Sequence, residues 1–483
     1  MPPAGNTTTV DRALFDGWKW QSDGIKLLGA PIGTKDFCES VTAKRVAKAQ
    51  QLLEQLEEYG HAQGALLTLR HCASWCKLVY SARTTPPQLH SESLKRFGIG
   101  LRSALDGLLG DSIPDHSWEL AQLGLSHGGL GLRDPVRHAP AAYLASLAQN
   151  KDLCMRIDSN FDADDTSGAL YKEATIAVVQ SQVLDAATLA GDLRQKELSA
   201  RLDAGQRSSL SSRADSAMKA HMSLTRIPGA GAWLTAHPVD DGREIDSPLF
   251  KLAVKRRIRC SVAAEDAVCP CCGQIMDRWG DHAATCMCNG DRTVKHNSIR
   301  NACSEEAVAG GLRPEKEKAG LLPGRPPSDG LPAIRSARRP ADIWVPRGMH
   351  GGGEAFDFAV TSGLKSGHLG QVIKSPELVF SQYEATKRQH LSTEDVSKAA
   401  GFRFSPLVLE SHGGGMSQLT RRFVSWLAGA VAATRGTDED REALRIAQRM
   451  SATLHREGAR AILRRLVPVE ECRPTTAWAA PAA

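Results

Sequence analysis

The apolar positions of this chain follow two rhythms. Over residues 36–59, 62–82 and 89–109 they recur at three- and four-residue steps, as at Leu94, Phe97, Leu101, Ala104, Leu105 and Leu108, which predicts amphipathic helices packed as a bundle. Ahead of them, Gly24 to Gly33 reads as a short apolar strand closed by a Gly/Pro turn, and the turn-rich run Ser126 to Arg133 ends this unit. From about 150 to 250 the pattern stays helical but is polar and poorly periodic, so the stretch reads as a connector. A shorter rhythm follows the Gly/Pro-rich loop 319–333. Ala341–Val345, Ala355–Thr361 and Phe402–Leu409 are β-like runs, with a helix expected over 376–391, which suggests a small α/β layer. Two amphipathic helices close the chain, the second expected to be capped by Thr437 with Asp440 reaching back and to end on Arg464-Arg465 at the negative dipole pole.

With 483 residues the chain has room for two to four cores, so the expected class is α+β and multidomain. Hydrophobic residues at 42% and charged ones at 24% suit a soluble protein, and no apolar run approaches the roughly 18 residues a membrane span needs. The first twenty residues lack the basic start and apolar core of a secretory signal, so the expected setting is intracellular, nuclear or cytoplasmic. A net charge of +6 permits nucleic-acid binding through local patches without requiring it.

Six of the twelve cysteines crowd between Cys260 and Cys288, and in a reducing compartment such a cluster points to metal. Cys269, Cys272, His282 and Cys286 form a C-x2-C-x9-H-x3-C pattern, a donor set that suits tetrahedral zinc. Gly273 permits a tight turn after the first pair, and His282 and Cys286 stand one helical turn apart. Cys271 and Cys288 are alternative sulfurs. With no open coordination position implied, zinc is expected to be structural. Basic residues flank the motif: Arg256, Arg257 and Arg259 upstream, Arg292, Lys295, His296 and Arg300 downstream. They suit phosphate contacts, or simply a solvated basic face.

Asp342 leads into the apolar Ile343-Trp344-Val345, and Asp357 sits inside Phe356 to Val360. A carboxylate in a β-run loses hydration and needs a cation, a hydrogen-bond cage or a metal. Fourteen residues lie between the two acids, enough for a turn that brings neighbouring strands and both acids together. Paired carboxylates suit a hard cation such as Mg²⁺ or Mn²⁺, which keeps waters for activation. Lys387 could add positive charge beside the reacting phosphate, and Glu305 or Glu306 a further carboxylate. The alternatives are strand-edge acids paired with Arg339 or another base, and plain surface residues.

Cys269 to Cys286, then Lys295-His296-Asn297, then Arg339-Pro340-Ala341-Asp342 with Asp357 beyond, together resemble the C-terminal endonuclease of non-LTR retrotransposons that carry a restriction-like nuclease. The resemblance covers residues 260–415. In that family a CCHC knuckle precedes a PD-(D/E)xK-type fold whose carboxylates bind the catalytic ion. It implies Asp342 and Asp357 as metal ligands, Lys387 as the family's displaced lysine and Phe402–Glu410 as a core strand. Beside it, from their charge, Arg256, Arg257, Arg259, Lys295, His296, Arg300 and Arg339 are the expected contacts to nucleic acid. Two departures stand out: Ala341 separates Pro340 from Asp342, and Ala359 occupies the position two residues after Asp357 where the family pattern has lysine. The N-terminal part resembles the last palm strand and thumb of the same elements' reverse transcriptase, through Gly24–Gly33 and Gly128–Arg133. No aromatic-x-Asp-Asp hairpin accompanies it, since Asp164-Asp165 and Asp240-Asp241 fall in polar loops, so the fingers and most of the palm are expected to precede residue 1.

The expected organisation is a thumb-like helical region over 1–150, a helical connector over 151–250, a zinc knuckle with its basic flank over 251–292, an α/β restriction-like domain over 293–430, and a C-terminal helix and tail over 431–483. The implied activity is Mg²⁺- or Mn²⁺-dependent nicking of target DNA for retrotransposon integration. Expected partners are DNA, the element's RNA and a separate reverse transcriptase chain. The rival expectation is a zinc-stapled nucleic-acid-binding remnant without catalysis.

Overall fold

The computed structural model describes residues 22–158, 169–180, 194–240, 242–322 and 341–466. Asp164, Asp165, Asp241, Arg339 and most of the loop 319–333 lie outside them, while Asp240 is an exposed loop acid held 2.7 Å from Arg243. The fold is α+β and predominantly helical, with three small sheets.

The run expected as one strand is instead a hairpin of β1 (Gly24–Leu27) and β2 (Ala30–Gly33). Leu28 and Gly29 both take positive φ, 48° and 91°, the two-residue turn geometry that folds one strand back on another. Next come α1 (Lys35–Glu57), α2 (Ala62–Thr68), α3 (Val79–Thr84), α4 (Ser91–Leu109) and α5 (Asp115–Gln122). The 62–82 periodicity is therefore broken. Ser74 leaves helical geometry and its hydroxyl bonds the Arg70 carbonyl at 2.7 Å, ending the first segment after a π turn. Leu53, Leu66, Leu94, Phe97 and Leu101 fill this bundle. His90 is fully buried in it, its Nδ1 3.2 Å from the Thr42 hydroxyl, and burial pulls its pKa down to about 4.

α6 (Pro135–Ile157), α7 (Ala169–Gln180), α8 (Gln195–Arg213), α9 (Ser216–Leu224) and α10 (Ser247–Arg257) follow. They span the stretch expected as a connector, yet Leu198 and Leu202 pack beneath α6, and Leu210, Met222, Trp233 and Phe250 belong to the main helical core. In α8 the weak periodicity reflects polar residues in the buried stripe, where Ser199, Asp203 and Gln206 lie beside Leu198 and Leu202, rather than a solvated link.

A two-residue hairpin, β3 (Ala267–Val268) and β4 (Ile275–Met276), leads through α11 (Asp281–Thr285) into α12 (Asp291–Ala309). The four-stranded sheet is ordered β5 (Glu315–Lys316), β6 (Ile343–Val345), β7 (Glu354–Thr361), β8 (Arg403–Glu410). Its first three strands are antiparallel neighbours and β8 runs parallel to β7. The parallel pair needs a crossover, supplied by α13 (Leu369–Lys374), α14 (Leu378–Gln389) and α15 (Thr393–Ala399). Period-two alternation sends Phe356, Phe358, Leu407 and Leu409 to one face, against α12 and α16 (Gln418–Arg435), and Ala359 and Val408 to the other, against Val372, Val379 and Phe380.

The last helix, α17 (Glu439–Leu466), joins these parts. Ile446, Met450 and Leu454 enter the sheet's core, Ala452 and Ala459 the bundle core, and Ile462 the apolar patch under the knuckle. Its cap is Asp438, whose carboxylate accepts the Arg441 amide at 2.9 Å, while Thr437 donates to Glu442 instead. Arg465 at its far end reaches Asp291 at 2.6 Å rather than serving only the dipole.

Two outcomes are expected. Phe356→Ala, which removes a fully buried ring whose centroid lies 4.8 Å from that of Phe423, should cost about 3–5 kcal/mol in denaturant unfolding. His90 is neutral when folded and takes a proton more readily when unfolded, so between pH 6.5 and about 4 the unfolded state binds the extra proton and stability falls as pH drops. His90→Gln should flatten that slope by roughly 1.4 kcal/mol per pH unit, read from unfolding curves across the window.

Candidate metal centre and carboxylate site

The knuckle is shaped by short-range backbone bonds. The Cys269 amide donates to the Gln274 carbonyl at 2.8 Å and the Gly273 amide to the Cys269 carbonyl at 2.9 Å, a turn closed by Gly273 at a φ of 74° where glycine carries no side-chain penalty. Asp277 then accepts the amides of Trp279, Asp281 and His282 at 3.1, 3.0 and 2.8 Å and starts α11. One turn on, the Cys286 amide donates to the His282 carbonyl at 2.7 Å, which sets both residues on one side.

The ligand atoms of Cys269, Cys272, His282 and Cys286 all lie within 4.8 Å of one another, with Cys272 Sγ 3.3 Å from His282 Nε2. Tetrahedral zinc, with bonds of roughly 2.0–2.3 Å, needs donor atoms roughly 3.3–3.8 Å apart, so this Cys3His cluster can hold a metal such as zinc after a small contraction. Cys271 and Cys288 stand outside the quartet, packed partly buried beside Met276 and Ile462. Burial works against ionising Cys269, but the amides of Cys271 and Cys272 and the His282 ring lower its pKa.

The basic flank turns inward. Arg256, Arg257 and Arg259 are 5, 2 and 6% exposed. Arg259 meets Asp281 at 2.6 Å and stacks over the Trp279 ring, and Arg256 stands 3.8 Å from the other Asp281 oxygen. Arg256 also donates to His412 Nδ1 at 2.9 Å, His412 Nε2 lies 2.5 Å from His221 Nδ1, and His221 Nε2 lies 3.1 Å from the Arg257 carbonyl. His412 Nδ1 also lies 3.3 Å from Asp281 Oδ1, and burial holds the pKa values of both histidines below the usual histidine range. Burial alone would raise the Asp281 pKa, but His412, Arg259 and Arg256 pull it far below the usual carboxylate range. The expectation that Arg256, Arg257 and Arg259 grip phosphates is therefore corrected: their guanidiniums are committed to interior acceptors.

Downstream, Lys295 is 5% exposed, its ammonium donating to the Ala284 carbonyl at 2.8 Å, and burial pulls its pKa to about 8. Arg300 is tied to Glu317 and Asn301. His296, expected on nucleic acid, instead places Nε2 3.0 Å from Asp342 Oδ2. Arg339 lies outside the described residues.

The carboxylates sit where β6 meets β7. Ile343 pairs with Phe356, and the Asp342 amide donates to the Phe356 carbonyl at 2.9 Å, so the same register carried one residue further sets Asp342 opposite Asp357. Asp342 Oδ2 also accepts the Phe358 amide at 2.6 Å. Asp357 reaches across to α14, where Lys387 Nζ is 2.8 Å away. Burial raises the Asp357 pKa, Lys387 opposes it, and the charge on Asp342 raises it further. The Asp342 hydrogen bond raises the His296 pKa despite burial. Asp342, Asp357, Lys387 and His296 thus form one charge-coupled group. Glu305 does not join it. It lies nine residues beyond His296 on α12, about 14 Å along the axis, and pairs with Arg449, while Glu306 is clamped by Arg445 and Arg449 at 2.8 and 2.7 Å. Among the described residues the Cys/His quartet is the one group of three or more such ligands drawn this close.

His221, His412 and Asp281 were not legible as partners, since residues so far apart in sequence share no spacing signal. No protein-family model matches the chain, and no curated protein matches it.

Cys272→Ala and His282→Ala should each abolish stoichiometric zinc binding, measured by elemental analysis of the purified chain. Asp281→Asn leaves Arg256 and Arg259 buried without their counter-charge and should cost about 3–5 kcal/mol in unfolding. A loss below about 1 kcal/mol would show that the network does not hold the knuckle in place.

Proposed function

We propose that the chain is a metal-dependent DNA endonuclease of the restriction-like type, which nicks a target strand as the nucleases of non-LTR retrotransposons do. The observation that carries this reading is the coupling of two carboxylates from adjoining strands, Asp342 and Asp357, with a lysine on the neighbouring helix. Two acids that raise the cost of each other's charge are relieved by a divalent cation, and a hard ion needs only one or two carboxylates besides water and substrate oxygens. Mg²⁺ or Mn²⁺ bound there would acidify a water and stabilise charge on the phosphate.

The chain's own groups have separate tasks. His296 and the Phe358 amide fix the Asp342 carboxylate from two directions. Lys387, now neutralising Asp357, is placed to face negative charge that grows on phosphoryl oxygens, a role the lysine two residues after the strand acid would otherwise fill and Ala359 cannot. In this reading zinc is structural, because four protein donors leave no open position.

A second reading is favoured by the same ion pair: with Asp357 held by Lys387 and Asp342 by His296, the group is self-neutralised, as in a nucleic-acid-binding protein that no longer cuts. Zinc-loaded protein should convert supercoiled plasmid to nicked circles with Mg²⁺, and Asp342→Ala or Asp357→Ala should each reduce the rate by about 10²-fold or more. Plasmid retention without nicking by the unaltered chain would favour the second reading.

A further inference from the structure

Between the knuckle and the sheet the fold leaves a cleft that neither the zinc cluster nor the carboxylates account for. It consists of two adjoining cavities of 190 and 150 Å³ that share Thr361, Ser362, Lys365 and Tyr383 in their walls. The first is closed by Thr285 and Met287, beside the ligand Cys286, and by Arg292 and Lys295 of α12. The second continues past His368 to Thr386 on α14.

Its lining is one-sided in charge. The chain carries 54 acidic residues against 60 basic ones, yet no carboxylate lines either cavity, while Arg292, Lys295, Lys365 and His368 do. Arg292 and Lys365 are exposed, and among the described residues no carboxylate lies within ion-pair distance of them. Arg292 Nη2 instead rests 3.3 Å from the Tyr383 hydroxyl. Thr285, Thr361, Ser362 and Tyr383 add hydroxyl donors, the mixture of point charge, guanidinium and hydroxyl that takes phosphate oxygens. Tyr383 and Lys387 are four residues apart on α14 and share a face, so the cleft leads toward Asp357.

We propose that this cleft binds the phosphodiester backbone of a single nucleic-acid strand, with Arg292 and Lys365 on phosphates and Tyr383 between them. It replaces the buried arginines as the surface that grips the strand. The proposal rests on the endonuclease reading for the fate of the strand, not for its being bound.

The test is fluorescence anisotropy of a labelled single-stranded DNA oligonucleotide with the full zinc-loaded chain, without magnesium, over a series of salt concentrations. Arg292→Gln with Lys365→Gln should weaken binding about tenfold and reduce the slope of log affinity against log salt by about 1.4, the loss of two phosphate contacts on a single strand. Lys365→Arg in place of Lys365→Gln, with Arg292→Gln retained, should recover about half of the lost slope, ~0.7, and unchanged zinc content and unfolding midpoint would show that the double variant is folded. Unaltered affinity and slope in the double variant would overturn the proposal. So would displacement of the strand by inorganic phosphate at concentrations near the oligonucleotide's own Kd, which would mark a site for free anions. If the unaltered chain binds the strand with this salt dependence but never nicks plasmid, the endonuclease reading fails and the cleft stands. If nicking persists and the double variant binds normally, the reverse holds.

Discussion

The contact between Asp281 and two buried arginines, Arg256 near the end of α10 and Arg259 just beyond it, is the constraint on which the arrangement of this molecule depends. α11 is five residues long, and a helix of that length has no stability of its own in water. Its first residue is nevertheless fixed by Arg259, Arg256 and His412, groups that come from the end of α10, the turn after it and the loop after β8. The same five residues carry His282 and lead directly to Cys286. This charge network thus sets where two of the four candidate donors stand, and a metal bound there would tie the hairpin of Cys269 and Cys272 to that position.

Glu410 closes the network at the sheet. It is fully buried at the end of β8 and accepts the amides of Gly363, His412 and Gly413, so the loop that presents His412 is drawn back over the end of β7 and β8. From residue 450 to 455 α17 is buried on every side, which an isolated amphipathic helix is not. Knuckle, bundle and sheet are therefore fused along one helix rather than strung as beads.

That fusion explains what the sequence disclosed and what it hid. Local patterns were legible: the Cys3His cluster through its spacing, β6, β7 and β8 through their apolar runs, and α14 with Lys387 through its place between strands. Asp342 and Asp357 were legible because an acid in a β-run is costly, and the structure puts Lys387 against one and His296 against the other. Residues 194–257 misled because their buried faces carry polar and charged residues, Ser199, Asp203 and Gln206 on α8 and Arg256 and Arg257 on α10, which break up the apolar stripe that marks a helix in a core. The hairpin turn at Leu28-Gly29 was hidden for the opposite reason, since one glycine in an apolar run marks a turn only when its neighbour also adopts positive φ.

The basic flank gives the sharpest lesson in charge. A run such as Lys255-Arg256-Arg257-Ile258-Arg259 beside a zinc motif has the composition of a phosphate-binding patch, and composition cannot distinguish it from an internal clamp. What decides is the supply of acceptors. Arg257 finds the carbonyls of Ala230 and Leu125 at 3.2 Å each, and Arg256 and Arg259 find Asp281, so desolvation is offset within the fold. The cations in the proposed cleft are in the contrary position: among the described residues no carboxylate is paired with Arg292 or Lys365, and Arg292 meets only the Tyr383 hydroxyl and the Met287 sulfur, so an outside anion could bind them without an ion pair being broken first. On this argument a basic residue open to an outside anion is recognised less by its neighbours in sequence than by the absence of an internal counter-charge, a property that only the folded chain displays.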